Sequence, residues 1–97
     1  MNSQKLLMAK ARGLTISIGR MSGSSREHKP SGAFADDYNR LLQATRQAFP
    51  ALLPLLPPVV TTFRGGGGDM YSDLSFNEID AFCEQIFQLV AEAEDAT

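Results

Sequence analysis

Histidine and cysteine each occur once in this 97-residue chain, and tryptophan is absent. A lone cysteine excludes an internal disulfide and fits a reducing compartment. One histidine and one cysteine cannot assemble a structural zinc site. No apolar run reaches the roughly 18 residues of a membrane-spanning helix. The longest, Ala51 to Val60, is broken by Pro54, Pro57 and Pro58. Acids are missing from the first 26 positions. Lys10 and Arg12 interrupt the apolar run that starts at Leu6, which argues against a secretory signal. The basic, serine-containing start does fit an organelle transit peptide, beside the plainer reading of a basic arm on a cytoplasmic protein.

Residues able to do chemistry are equally sparse. His28 stands between Glu27 and Lys29 in a polar stretch that supplies no orienting partner, so a solvated loop residue is expected. Cys83 falls within an apolar helical arc, where the thiol pKa rises and nucleophilicity is lost. Asp36 and Asp37 are adjacent and diverge on a helix. Gly65 to Gly68 is not followed by Lys-Ser/Thr, and Asp69 and Asp73 would repel a phosphate, so the run reads as a flexible point. Pro54-Leu55-Leu56-Pro57 has PxxP form, but its apolar neighbours favour a buried turn. Asp73 to Ile79 resembles the exit of an EF-hand calcium loop ending on Glu78. Counting back places Gly67 first, Tyr71 fifth and Ser72 sixth, and all three are the wrong residue types. No enzyme activity, metal or cofactor is expected.

What the chain does have is a charge split. Lys5, Lys10, Arg12, Arg20, Arg26 and Lys29 face one acid, Glu27, within the first 30 residues. Arg40, Arg46 and Arg64 face ten acids in the remainder, and the net charge of −2 conceals the asymmetry. Oppositely charged ends meet different partners or each other. Three roles are open to the basic end. It could neutralise phosphates of a nucleic acid, lie on a lipid surface with Leu6, Leu7 and Leu14 inserted, or dock on the acidic last helix. Gly13 to Arg20 resembles the turn of a helix-turn-helix, but the spacing is off by one residue and Gly19 breaks the second helix.

The apolar content, 43% with 21% charged residues, is that of one small globular domain. A helix is expected from Phe76 to about Glu94, with Ser75 and Glu78 as a capping box and Leu74 and Ile79 as its hydrophobic staple. Phe76, Ile79, Phe82, Cys83, Ile86, Phe87, Leu89 and Val90 share an arc of roughly 160° at 3.6 residues per turn. A second helix is expected from Ala33 to Phe49, stopped by Pro50. A third should run from Ser3 to about Arg12, with continuation to Ile18 left open by Gly13. Gly19 to Gly32 reads as a linker, Ala51 to Leu56 as one further turn, and Val59 to Phe63 as an extended segment without a partner strand.

The expected fold is therefore all-α, with three helices and a long Pro/Gly-containing connection before the last. It divides into a basic helix and linker, 1–32, and a helical core, 33–97. Three short helices leave apolar surface uncovered, which on a small domain marks association. The expected function is a non-catalytic interaction module or accessory subunit that meets a larger protein subunit or a second copy. Candidate interface residues are Phe76, Ile79, Phe82, Ile86, Phe87 and Leu89. The alternative is an antitoxin-like or DNA-linked regulator, with Lys5, Lys10, Arg12, Arg20, Arg26 and Lys29 on nucleic acid and the acidic last helix on a protein.

Overall fold

The capping box spelled by Ser75 and Glu78 is formed. The Ser75 hydroxyl accepts the Glu78 N–H at 3.3 Å, and the Glu78 carboxylate accepts the Ser75 N–H at 3.1 Å. It opens the last helix of a computed structural model that describes residues 3–93. The order is α1 (Ser3–Gly19), α2 (Gly23–Arg26), α3 (Gly32–Ala48), a 3-10 helix (Pro50–Leu55), β1 (Thr62–Arg64), β2 (Met70–Ser72) and α4 (Phe76–Glu92). The expected Glu94 end of the last helix lies outside the described residues.

The protein is mostly helical, but the all-α, three-helix expectation needs correcting. There are four α-helices among the described residues, one a single turn, together with a short antiparallel hairpin. α1 does not stop at Arg12. It runs through Gly13 because Leu7, Ala11, Thr15 and Ile18 bury one continuous stripe, and that burial outweighs the roughly 1 kcal/mol cost of a mid-helix glycine. The Gly19–Gly32 linker is ordered. Ser22 caps α2, and the Arg26 guanidinium donates to the Gly19 carbonyl at 2.9 Å.

Val59 to Phe63 does find a partner. Thr62, Phe63 and Arg64 pair with Ser72, Tyr71 and Met70. The glycines between them make the turn. Gly68 takes φ +90°, a left-handed conformation, and a Cβ on Gly65 would stand 2.6 Å from the Tyr71 ring. On its other side β2 meets the chain before α3, through a bridge from Tyr71 to Ser31 and a 2.8 Å bond from the Ser72 N–H to the Pro30 carbonyl.

α1 and α4 pack antiparallel along most of their length. The Gln4 amide donates to the Val90 and Ala93 carbonyls at the end of α4, while Arg12 meets Glu84 at mid-helix. The core draws Leu7, Ala11 and Ile18 from α1, Tyr38, Leu41 and Leu42 from α3, Val60 from the approach to β1, and Ile79, Cys83, Ile86 and Val90 from α4. The core draws on residues from both sides of residue 32. Residues 3–19, whose composition suits a transit peptide, form a wall of it.

Candidate interaction surfaces

The six α4 candidates fall into two groups. Ile79 and Ile86 are fully enclosed within one copy, so they offer nothing to a partner. Phe76, Phe82, Phe87 and Leu89 are half-buried. Phe76 meets Phe34 edge-on at 5.1 Å between ring centroids, Phe82 lies 6.1 Å from Tyr38, and Phe87 carries the Arg12 guanidinium at 4.1 Å. The α4 arc is thus only partly covered by α1 and α3. The continuation of α1 to Gly19, left open by the sequence, adds Thr15 and Ile18 to the apolar area that meets α4 and α3.

The six basic candidates are not gathered on one face. Arg12 pairs with Glu84 at 3.3 Å and stacks on Phe87. Arg26 holds Gly19, and the Lys29 ammonium lies 5.1 Å from the Phe63 ring centroid. Lys5, Lys10 and Arg20 are exposed on α1 and its end, and none of them forms an ion pair among the described residues. Lys10 lines a shallow groove of about 430 Å³ between α1 and α3, with Gly13, Leu14, Ser17, Asp37, Arg40 and Leu41. Asp37 and Arg40 neutralise each other there at 3.1 Å.

Three side chains have raised pKa values. Burial, then the charges of Asp80 and Glu84, push the Cys83 thiol up to about 12. Burial also raises the Tyr38 hydroxyl, which donates to the Pro58 carbonyl at 3.0 Å. Asp80 is raised by burial first and by Glu84 second. Among the described residues no three His, Cys, Asp or Glu side chains lie together as a metal site would need. None of their helices is long and apolar enough to cross a membrane.

Apolar exposure lies elsewhere. Eight large apolar side chains are strongly exposed, and six of them, Leu53, Leu55, Val59, Phe63, Met70 and Tyr71, fall between residues 53 and 71. The 3-10 helix turns Leu52 inward and Leu53 and Leu55 outward, while the Gln85 amide holds the Leu55 carbonyl at 2.9 Å. Beyond the two prolines the chain alternates. Val60 and Thr62 face the body, and Val59, Thr61 and Phe63 face out. Across the hairpin, Phe63 lies 6.2 Å from Tyr71, and the Thr61 hydroxyl bonds the Asp73 carboxylate.

The backbone of this segment is anchored on one flank. The Asn39 side chain accepts the Val60 N–H and donates to the Val60 carbonyl, each at 2.9 Å, standing where another strand would pair. Beside Thr62 an open cleft of about 610 Å³ separates the hairpin from the start of α3, with Asp36, Asp69 and Met70 in its walls. Sequence reasoning missed this region. The available signal was a glycine run set between Val59–Phe63 and Met70–Tyr71, two short stretches of strand-forming residues. No family model, curated protein or solved structure matches this chain.

Proposed function

We propose that this chain is a small, non-catalytic binding module, an accessory subunit or self-associating protein, that engages another protein through residues 53–71 rather than through α4. One observation carries the reading. The helical core closes within one copy, yet six large apolar side chains stay exposed in a single short segment. Tyr38, Asn39 and Gln85 anchor its backbone at Pro58, Val60 and Leu55. Exposed large apolar side chains concentrated in one segment of a small domain are characteristic of association. The lone, deeply buried thiol suits a reducing compartment such as the cytoplasm.

The nucleic-acid alternative has less in its favour, because Arg12, Arg26 and Lys29 are engaged within the molecule. Affinity capture from native extract tests the proposal, using the full chain and a Leu53→Asp/Leu55→Asp variant. Both side chains are more than half exposed, so the variant should keep its helical content while losing the captured protein. Capture unaffected by the variant, or abolished by raising salt from roughly 50 to 300 mM as phosphate-driven binding would be, contradicts it.

A further inference from the structure

We infer that β1 pairs with β1 of a second copy of this chain, antiparallel and about a twofold axis at Phe63, so that two hairpins join into one four-stranded sheet. This names a partner for the hairpin end of the surface proposed above, with Leu53 and Leu55 outside the strand contact, and rests on that reading.

The hydrogen-bond register decides which groups are free. The Gly65 N–H donates to Asp69 at 2.7 Å and the Asp73 N–H to Thr61 at 2.9 Å. These bonds lie two residues either side of the Phe63–Tyr71 pair. Antiparallel alternation therefore turns the Phe63 backbone toward β2, and the Thr62 and Arg64 backbones away from it. Val60 has the same outward orientation, and there Asn39 satisfies both of its groups. No α3 side chain does this for Thr62 or Arg64. The edge thus presents two N–H and two C=O groups, arranged symmetrically about Phe63, and an unpaired edge is a template for another strand.

Side chains favour a second copy as that strand. A twofold axis at Phe63 sets Thr62 opposite Arg64 of the second copy, which completes four backbone bonds. Phe63 then faces its own equivalent at a non-hydrogen-bonded position, where side chains approach most closely. The Phe63–Tyr71 pair becomes a row of four rings. On the inner face, Arg64 of the second copy exchanges its exposed 3.2 Å bond to the Gly68 carbonyl for the cleft beside Thr62, whose wall carries Asp36. Asp36 forms no ion pair among the described residues, since it is Asp37 that holds Arg40. The twofold axis repeats this Arg64–Asp36 attraction. Past Arg64 the chain continues into Gly65 and Gly66, which bring no side chain against Val60 and Asn39. An unrelated extended peptide would supply the backbone bonds without the ring row or the paired charges.

A contact of this size is smaller than a standard interface, so the dimer should dissociate with a constant on the order of 10–100 µM. The test is sedimentation of the full chain from about 5 to about 500 µM, with residue-resolved amide exchange at both limits. The expected result is a monomer–dimer equilibrium in which Thr62 and Arg64 amides slow at least several-fold at the higher concentration. Arg64→Pro removes an outward N–H and spares the bonds to β2, and should weaken the dimer about tenfold or more. Asp36→Arg should weaken it too, and Asp36→Arg with Arg64→Asp should restore it. This charge swap, with wild-type exchange, decides the matter if the proline variant fails to fold. A monomer at the highest concentration, or a dimer with unchanged Thr62 and Arg64 exchange, overturns the inference. If the chain is monomeric while Leu53→Asp/Leu55→Asp still abolishes capture, the binding reading survives and another protein occupies the surface. If capture is also indifferent, both fail.

Discussion

α1 and α4 are seventeen residues each and satisfy their backbones internally, whereas β1 and β2 are three residues each and depend on neighbours. The helices bury their apolar stripes against each other and against α3. The hairpin borrows Pro30 and Ser31 for one side of β2 and Asn39 for the approach to β1, then runs out of partners at Thr62. A two-stranded ribbon is marginal by itself, so its order here comes from what it leans on. Spare surface therefore sits where the backbone is incompletely paired, and not where the sequence is most apolar.

Substitution in the closed half should do the most harm. Ile86→Ala empties a fully enclosed site between three helices and should cost about 3 kcal/mol in urea denaturation. Leu55→Ala, on the open side, should move the midpoint by less than about 0.5 kcal/mol. Equal effects would erase the distinction between the two regions. Asn39→Ala leaves the Val60 N–H and carbonyl unpaired and should cost about 2 kcal/mol. Amide exchange should place that loss in residues 59–73 and leave α1 and α4 protected.

Ser75→Ala removes the cap of α4 and should cost about 1 kcal/mol, with fraying confined to the first turn. High pH should act through the core. The folded thiol of Cys83 titrates near 12 against an ordinary value of 9.0, so above pH 9 the unfolded chain sheds its proton first. Stability attributable to this group is therefore fully present below about pH 9 and falls toward pH 12, by at most roughly 1.4 kcal/mol per unit. The raised Tyr38 hydroxyl works in the same direction. Thermal melts at pH 8 and pH 10 should show the decline, and Cys83→Ala should flatten it.

The long helices were legible because each carries its own evidence. The Ser75/Glu78 cap, the stop at Pro50 and the apolar arc of α4 are local signals, and they put those helices within a residue or two of their observed bounds. α1 was left open past Arg12 because Gly13 is judged by local propensity and Leu14, Ile16 and Ile18 also alternate as a strand would, and only the burial of Thr15 and Ile18 decides for the helix. The hairpin was lost for a related reason. Three-residue strands carry no period long enough to count, and their pairing to Ser31 and Asn39 spans long sequence separations. The width of the α4 arc does not reveal which of its residues α1 and α3 enclose: Ile79 and Ile86 fully, Phe76, Phe82, Phe87 and Leu89 only in part.

Native-state amide exchange of a dilute, monomeric sample tests the central claim most directly. The account predicts that amides of Ala11, Leu42, Cys83 and Ile86 exchange only through global unfolding, while those of Thr62 and Arg64 exchange orders of magnitude faster because they point to solvent. Thr62 and Arg64 amides as slow as the middle of α4, in a sample shown to be monomeric, would mean that this edge is already satisfied from within and would contradict it.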